Sequence, residues 1–367
     1  MTPQLDRRSF LRQSGMAAAA FAVSRPWLHS AGRTVSPNEK LNIAAIGFGG
    51  VGGSNVKNSA DENIVALCDL DLARCAGTIK QFPKAALFTD FRKMLDQQKD
   101  IDAVIIATPD HSHAYIAMEC MRRGKHVYVQ KPISHSVFEA RILTESAHKY
   151  KVVTQMGNQG HSGEGIRQVT EYIAAGLIGK VREVHTWTNR PIWPQSSEMD
   201  RPSEAQKAPE GMDWDQWCGP APLRPFHASY HPGKWRAWWD FGTGALGDMA
   251  CHIMDAAFWN LELAQASSVT VELKKIEQKS SVAFPKSAVV EFNFPARGKL
   301  PPVKLTWSEG GEKPETPEGL KQDNRQLAKG GQLLIGSKGT VYDGNDYCNS
   351  PRFIPESFHK ELVEGGK

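Results

Sequence analysis

One short segment limits the fold more than any other: an apolar run that leads directly into a glycine-rich turn. Residues 41–46 have the length and apolar character of a buried strand, and residues 47–52, Gly-Phe-Gly-Gly-Val-Gly, match the pattern G-x-G-x-x-G. In this pattern Gly47 permits a tight turn, Gly49 lets the backbone approach a pyrophosphate, and Gly52 lets the next helix pack on the strand. The N-terminus of that helix offers free N–H groups to the phosphates. The segment therefore predicts the first unit of a dinucleotide-binding fold.

The second predicted strand ends at a carboxylate. Residues 63–68 are apolar, and Asp69 follows them, 22 residues after Gly47. In dinucleotide-binding domains an acidic residue at this place binds the ribose hydroxyls, and its charge disfavours the additional phosphate of NADP. Asp69 therefore predicts NAD as the cofactor. Arg74 keeps NADP as the less favoured alternative, because its guanidinium could bind that phosphate.

The alternation of strands and helices continues beyond this point and indicates a doubly wound parallel sheet, a Rossmann domain of residues 38–157. Predicted strands at 101–107, 125–129 and 151–155 alternate with predicted helices at 112–121 and 135–149. Ligands of such sheets bind beyond the carboxyl ends of the strands. Polar residues at or near these ends are therefore predicted to bind the cofactor: Thr108, His113, Gln130, Lys131 and Asn158.

The segment Asp110-His111-Ser112-His113 combines residue types that can bind metal ions. It also precedes a predicted helix, where an aspartate commonly caps the N-terminus. We expect Asp110 to cap that helix and a histidine to contact the cofactor or to pack in the core, with a metal site as the alternative. The six cysteines form no CxxC pair and show no zinc-like spacing, so no metal is expected.

The second half, residues 158–367, has few long helical patterns and many short apolar ones. This pattern predicts an α+β domain with an open, mostly antiparallel sheet and helices on one face. Its predicted strands are 181–187, 268–276, 288–294, 303–307 and 332–335. Residues 309–330, rich in Lys, Glu, Pro and Gly, are predicted to form a mobile excursion.

The sharpest pattern in this half runs from Gly242 to Asp255. A helix is predicted from Asp248 to about Asn260, which places Asp248, His252 and Asp255 on one face. A carboxylate beside a histidine raises the basicity of the imidazole, as a general base requires, and the preceding glycines would let the backbone approach a ligand. The alternatives are a helix cap with a core histidine, and a metal held by the three side chains.

Seven of the ten tryptophans lie between residues 187 and 239, interleaved with charged residues. The flat C–H faces of sugars pack on indole rings, while their hydroxyls need charged or amide partners. Four residues are predicted to bind substrate: Arg190, Trp193, Arg236 and Asp255. The alternative is that the tryptophans only pin a long loop to the core.

The first thirty-one residues resemble a twin-arginine export signal. Arg7-Arg8 is followed by Phe10-Leu11 and a mild apolar stretch at 15–23, much shorter than the roughly 20 residues of a spanning helix. We therefore expect a folded protein exported to the periplasm or beyond, with no membrane span. Removing residues 1–31 removes four arginines and one aspartate, a net charge of +3, and leaves +1 of the formal +4. Nothing in this charge predicts a nucleic-acid partner.

Four motifs in order resemble the glucose–fructose oxidoreductase / inositol dehydrogenase / MocA family across about residues 38–350. They are residues 47–52, Cys68-Asp69-Leu70-Asp71, residues 107–113, and Lys131-Pro132. The resemblance implies that Lys131 sits beside the nicotinamide and the reacting hydroxyl, although Gln130 replaces the glutamate of the family's Glu-Lys-Pro motif. It also implies that Asp248 and His252 form the catalytic pair. The second domain would supply the substrate wall and a homo-oligomer interface, and because relatives usually continue further, a short or truncated chain is implied.

Together these patterns predict an exported NAD-dependent oxidoreductase that acts on a secondary hydroxyl of a sugar. His252, or Lys131 with His252, would take the hydroxyl proton, Lys131 would stabilise the alkoxide, and Asp248 would orient His252. Outside the cytoplasm the cofactor would have to be held tightly and restored in each cycle. An NAD-dependent glycosidase is the first alternative, and a non-catalytic NAD-binding sugar sensor is the second.

Overall fold

The computed structural model describes residues 29–30, 33–34, 39–193, 195–196 and 198–365. The predicted export signal therefore lies outside the described residues, except for residues 29–30. The described chain divides into two compact units. The first unit contains the chain up to Ile106 together with Ile116–Tyr128 and Arg141–Gln155, and the second contains Ala107–Tyr115, Val129–Ala140 and the chain from Met156 onward.

The first unit is built around a six-stranded sheet in the order β5-β4-β3-β6-β7-β8, whose central pairs are parallel, as predicted. Strands β1 (His29–Ser30) and β2 (Arg33–Thr34) form a small separate ladder. The sheet strands are β3 (Asn42–Ile46), β4 (Asn63–Cys68), β5 (Ala86–Phe88), β6 (Ala103–Ile106), β7 (His126–Gln130) and β8 (Thr154–Gly157). The helices between them are α1 (Val51–Asn58), α2 (Ala76–Gln81), α3 (Phe91–Gln97), α4 (His113–Arg122) and α5 (Val137–Tyr150).

The second unit contains a seven-stranded sheet in the order β10-β11-β12-β9-β13-β14-β15, antiparallel except between β12 and β9. Its strands are β9 (Val181–Trp187), β10 (Thr270–Glu277), β11 (Ser287–Phe294), β12 (Val303–Glu309), β13 (Gly331–Gly336), β14 (Thr340–Asp343) and β15 (Arg352–Ile354). Its helices are α6 (Glu164–Ala174), α7 (Trp214–Cys218), α8 (Gly244–Ile253), α9 (Asp255–Asn260), α10 (Glu318–Gln322) and α11 (Glu356–His359). No helix among the described residues has the length and hydropathy needed to cross a membrane.

The core of the second unit forms where α6, α8 and α9 pack on one face of this sheet. Val169 of α6, Ile253 of α8 and Leu305 of β12 are fully buried in one cluster. The predicted alternation of inward apolar residues therefore places α8, which carries the sharpest sequence pattern, directly against the sheet.

The prediction of a mobile excursion at residues 309–330 is wrong. Leu320 of α10 is fully buried, and it packs in one cluster with Leu327 and Trp187 on the other face of the sheet. The segment is polar in composition, but two of its apolar side chains, Leu320 and Leu327, are buried. Their burial offsets the conformational entropy that is lost when the segment is ordered.

Two segments that the sequence placed in the first domain, residues 107–115 and 129–140, cluster with the second unit. The reason is that both segments form hydrogen bonds with residues of the second unit that are far away in the sequence. The backbone N–H of His111 donates to Phe241, and Lys131 bonds to Asp248.

Glu309, at the end of β12, is a buried acid with a single hydrogen bond, which its carboxylate accepts from Trp307 Nε1 at 2.8 Å. Burial raises the pKa of Glu309 from 4.5 to about 7. The unfolded chain therefore releases this proton at a lower pH than the folded chain, so stability falls as the pH rises from 4.5 towards 7.

Replacing Glu309 with glutamine is expected to stabilise the protein by up to about 3 kcal/mol above pH 7 and to have little effect at pH 4, because one pKa unit corresponds to about 1.4 kcal/mol. Urea unfolding at the two pH values measures the difference. Glu277→Gln is the control, because that side chain is 48% exposed. An equal effect of Glu309→Gln at both pH values would contradict the expectation.

Candidate functional site

The second unit holds a buried ion pair between Lys131, which follows β7, and Asp248 of α8. Lys131 Nζ donates to Asp248 Oδ1 at 2.7 Å and to the main-chain oxygen of Asp248 at 2.9 Å. The two side chains are only 15% and 10% exposed. An ammonium group has three donors, so two bonds fix its position and one N–H remains for a ligand oxygen.

A second cation, Arg236, braces the same carboxylate. Its Nε lies 3.0 Å from Asp248 Oδ1, and its guanidinium reaches within 3.9 Å of Asp110. Burial opposes ionisation of Asp248, but the charges of Arg236 and Lys131 hold the pKa of this carboxyl below its ordinary value. Asp248 is therefore a carboxylate shared by two cations. Arg236, predicted to bind substrate, supports Asp248 in this structure.

The expectation that Asp110 caps the helix after it is wrong. Asp110 is 1% exposed, and its carboxylate accepts a hydrogen bond from Thr243 Oγ1 at 2.6 Å, just before α8. The hydroxyl of Thr243, which is distant in sequence, therefore donates to Asp110 in place of the helix N–H groups. Asp110 thereby ties the start of α8 to the segment that follows β6.

The glycines before Asp248 serve close packing of the chain itself. A Cβ on Gly242 would lie 2.5 Å from the backbone of Arg236, and one on Gly247 would lie 2.2 Å from Thr243. In the structure these glycines let the chain come close to Arg236 and Thr243, and the predicted approach to a ligand stays a prediction. They allow α8 to bring Asp248 to its two cations.

The predicted helix from Asp248 to Asn260 is two helices, α8 and α9, which meet at Met254. Helix α8 begins at Gly244, whose φ of +63° suits glycine, so Asp248 lies inside the helix and is not its cap. Asp248 and Asp255 lie on different helices and have different partners, Lys131 with Arg236 and His161 respectively.

The prediction that Asp248 orients His252 is wrong. Asp248 turns to Lys131 and Arg236, and both ring nitrogens of His252 are buried without a hydrogen-bond partner among the described residues. The ring packs edge-on against Tyr347 at 4.9 Å. Burial, together with the charge of Lys131, lowers the pKa of His252 to about 4. His252 is thus a neutral imidazole at physiological pH with both ring nitrogens buried and unpaired among the described residues.

The predicted cofactor residues of this unit hold one another in place. His113 is 1% exposed, and its two ring nitrogens lie 2.7 Å from the main-chain oxygens of Thr108 and Pro132. The side chain of Gln130 accepts a bond from the N–H of Lys131 at 3.3 Å. His113 therefore fixes the position of the backbone at Thr108 and at Pro132, the residue after Lys131.

A histidine that sequence reasoning missed lies beside Asp255, the first residue of α9. His161 Nδ1 lies 2.8 Å from Asp255 Oδ2, and its ring stacks on Trp259 at 4.4 Å. Asn158 Nδ2 donates to Cys251 O at 2.8 Å and lies 3.3 Å from Asp255 Oδ2. The sequence did offer one indication of His161, because this residue lies three positions after Asn158, just beyond the end of β8.

Most of the clustered tryptophans pin the loop, as the alternative interpretation held. The buried members are Trp187, Trp217, Trp235 and Trp238. Trp193 differs, because the guanidinium of Arg236 lies over its ring at 5.7 Å. Arg190 pairs with Asp346 at 3.8 Å.

The glycine-rich turn of the first unit fits a dinucleotide. Gly47 has a φ of +76°, and no side chain caps the N-terminus of α1 at Gly50, so no capping group there competes with a phosphate. A Cβ on Gly53 would lie 2.8 Å from Thr78. Asp69 accepts the N–H of Phe48 at 3.0 Å, which ties the carboxylate predicted to bind the ribose to the turn and leaves it further acceptor capacity.

All six cysteines are unpaired thiols, and burial raises the pKa of Cys251, the least buried of them, to about 12. Across the described ranges, no group of three or more His, Cys, Asp or Glu side chains is placed to hold a metal ion.

The fold contains a Rossmann domain of the NAD-binding kind and a second α/β domain. Residues 41–158 match the family described as "Oxidoreductase family, NAD-binding Rossmann fold", and residues 163–294 match its "C-terminal alpha/beta domain", together about two thirds of the chain. The chain belongs to this family, that of glucose–fructose oxidoreductase, inositol dehydrogenase and MocA. The resemblance seen in the sequence, the predicted fold and the NAD-binding domain are thereby confirmed.

Named relatives are sugar-related enzymes. A glycosyl hydrolase family 109 protein of Shewanella pealeana is 29% identical over 203 residues, 48% of this chain and 44% of that protein. An inositol 2-dehydrogenase of Rubrobacter xylanophilus is 29% identical over 147 residues, 39% of this chain and 42% of that protein. The chain thus spans less than half the length of these relatives.

Solved structures share the fold. The WlbA dehydrogenase from Bordetella pertussis, in complex with NADH and UDP-GlcNAcA, superposes with a TM-score of 0.61 at 18% sequence identity. The superposition covers 86% of this chain and 83% of that chain. At this identity the likeness shows the architecture alone.

Proposed function

We propose that the protein oxidises a secondary hydroxyl of a neutral carbohydrate with NAD. The observation that carries the proposal is the ammonium group of Lys131, fixed by two bonds to Asp248 with its third N–H free. A preorganised cation of this kind stabilises negative charge as it develops on an oxygen.

In the second unit, one residue stabilises negative charge on the substrate oxygen and another accepts the proton. Lys131 binds the substrate oxygen and stabilises it as the proton leaves. Because Lys131 Nζ is already bonded to Asp248, the proton acceptor in this proposal is the neutral imidazole of His252, whose nitrogens have no hydrogen-bond partner among the described residues. Bound NAD supplies the hydride acceptor, and the glycine turn and Asp69 would hold it.

The charges at the site favour a neutral sugar over a sugar acid. Lys131 and Arg236 both face Asp248, and Arg190 faces Asp346. Each of these three cations already has a carboxylate within 4 Å that compensates its charge, so none of them is left uncompensated for a substrate carboxylate.

Mass spectrometry of the nucleotide released on denaturation, followed by NADH formation with a panel of p-nitrophenyl hexosides, tests the proposal. Stoichiometric NAD(H) would support a tightly held, recycled cofactor. Failure of the wild-type protein to bind NAD or to oxidise any hexoside would overturn the function.

Replacing Asp69 with alanine is expected to weaken NADH binding at least about tenfold and to narrow the preference over NADPH, because hydrogen bonds to a charged group contribute about 1.5–3 kcal/mol. Fluorescence titration with both nucleotides measures this. Asp69→Asn is the matched control, because it keeps an acceptor for Phe48 and removes only the charge. An unchanged NADH affinity in both variants would exclude Asp69 from the ribose site.

Export by the twin-arginine route remains part of the proposal and is supported by the sequence of residues 1–31. Changing both Arg7 and Arg8 to lysine is expected to retain the protein in the cytoplasm, whereas Arg12→Lys should not. Cell fractionation reads out both, and unimpaired export of the double variant would contradict this route.

A glycosidase that oxidises, eliminates, adds water and reduces again is the second candidate. Two findings favour it: the relative in glycosyl hydrolase family 109, and the His161–Asp255 pair, which stands apart from the Lys131 site. Release of p-nitrophenol from the same panel tests it.

A further inference from the structure

We propose that the second unit carries a binding pocket for a small organic ammonium ion with an apolar body, which is recognised by the carboxylate of Glu309. The pocket lies between the first turn of α8 and the strands β10, β11 and β12 at one edge of the sheet. Its ligand differs in chemistry from the carbohydrate of the proposed function, and the inference does not depend on that function.

The walls of the pocket are almost entirely apolar. Leu273 of β10, Val290 of β11 and Trp307 of β12 are neighbours across the sheet and line the pocket from the strands. Ala245 and Leu246, in the first turn of α8, line it from the helix. A surface of this kind binds the hydrocarbon part of a ligand by removing both from water.

Two aromatic side chains, Trp239 and Phe284, complete the wall, and their ring centroids lie 3.9 Å apart. The backbone holds both in place. The N–H of Trp239 donates to the oxygen of Val282 at 3.1 Å, and the N–H of Phe284 donates to the oxygen of Ala237 at 2.9 Å. Because the wall is preformed, a ligand loses little of its binding free energy to ordering the protein.

The pocket has the size of one aromatic ring with a short chain. Its volume is about 250 Å³, whereas an apolar cavity of roughly 150 Å³ is enough to bind benzene. Leu273 and Ile276, which line it from β10, are 55% and 44% exposed. A small molecule can therefore enter from solvent along this strand.

Glu309 is the only ionisable side chain that lines this apolar surface. It is 3% exposed, its carboxylate accepts one hydrogen bond, from Trp307 Nε1, and it forms no ion pair in the part of the chain that the structure describes. A carboxylate can accept several further bonds. Because buried charges in proteins are normally paired, the pocket lacks a cation.

The other two polar side chains of the pocket already use their donors elsewhere. The hydroxyl of Thr243 donates to Asp110, and Gln278 Nε2 donates to the main-chain oxygens of Ser280 and Ala283 at 3.0 Å. A ligand is therefore the source of the donor that complements Glu309. An ammonium group supplies the donor and the opposite charge together, whereas an anion would be repelled.

A bound ammonium ion also accounts for the cost of burying this acid. Burial raises the pKa of Glu309 to about 7, so the unliganded protein loses stability as this group ionises. A charge that weakens the fold is typical of a binding site, where a ligand supplies the compensation that the core does not.

Calorimetric titration with phenethylamine at pH 8 tests the proposal, because Glu309 is ionised above its pKa of about 7. Phenethyl alcohol, in which a hydroxyl replaces the ammonium group, is the matched probe. We expect the amine to bind the wild type at least about tenfold more tightly than the alcohol. Glu309→Gln is expected to weaken amine binding at least about tenfold and to leave alcohol binding within about twofold.

The variants separate the charge of Glu309 from the fold of the pocket. Glu309→Gln keeps the shape of the side chain and is expected to be the more stable protein above pH 7, so weaker amine binding reports the lost charge. Glu277→Gln on β10, with a side chain 48% exposed, is the control and should bind the amine like the wild type. Three results would each overturn the inference: no binding of the amine, equal affinity of the wild type for amine and alcohol, or an unchanged amine affinity in Glu309→Gln.

Discussion

Replacing Asp248 with asparagine is expected to lower the free energy of unfolding by about 3–5 kcal/mol, because removal of one partner of a buried ion pair leaves an uncompensated charge. Here the loss affects two cations, since Lys131 and Arg236 share this carboxylate. Urea unfolding near pH 7 measures the change.

The matched comparison is Lys131→Met, which leaves Asp248 with Arg236 and should cost clearly less. The pH dependence gives a second check. The pKa of Asp248 is held below its ordinary value, so its contribution is present at neutral pH and is lost as the pH falls through the folded-state pKa. The difference between wild type and Asp248→Asn should therefore shrink in acid. Equal costs of the two substitutions would contradict a carboxylate shared by two cations.

Lys131→Met is also expected to lower kcat for hexoside oxidation about 10³-fold, within the range of positioned acid–base and electrostatic groups. The physical reason is the loss of the N–H aimed at the developing alkoxide. Initial rates of NADH formation measure kcat, and NADH titration checks that cofactor affinity is retained.

Lys304→Met serves as the control for this substitution, because Lys304 lies on β12 of the same unit with a side chain 42% exposed. Its kcat should match that of the wild type. A Lys131→Met enzyme with a kcat near that of the wild type would show that the alkoxide is stabilised elsewhere, and Arg236 would then be the first residue to examine.

The bonds of Asp248 change the division of roles that the spacing alone suggested. The i, i+4 relation of Asp248 and His252 led to the prediction of an oriented base, yet the structure leaves His252 without a hydrogen-bond partner among the described residues and gives Asp248 to cations. An oriented histidine does exist in this unit, at His161 with Asp255. The arrangement predicted for Asp248 and His252, a histidine beside a carboxylate, is thus found at a different pair of residues.

Local sequence was sufficient for five of the six strands of the Rossmann sheet and for much of the second sheet, whereas β5 at Ala86–Phe88 was not predicted. The glycine turn after β3, the carboxylate after β4 and the strand β9 at Val181–Trp187 lie where the pattern placed them. These features depend on hydrophobic periodicity and on turn chemistry within a few residues of one another. The helix at Asp248 was also found, although its start and its break at Met254 were not.

The tertiary structure alone decided which side chains become partners. The spacing of residues on a helix determines the face on which a side chain lies, but not what packs against that face. Lys131 meets Asp248 across 117 residues, and His161 meets Asp255 across 94. Thr243, far from Asp110 in sequence, is the partner that keeps Asp110 from capping a helix. The sequence by itself determined the elements and the cofactor class, because those depend on local pattern. The assignment of each carboxylate to its cation or histidine required the packed chain, because ion pairing depends on distance in space.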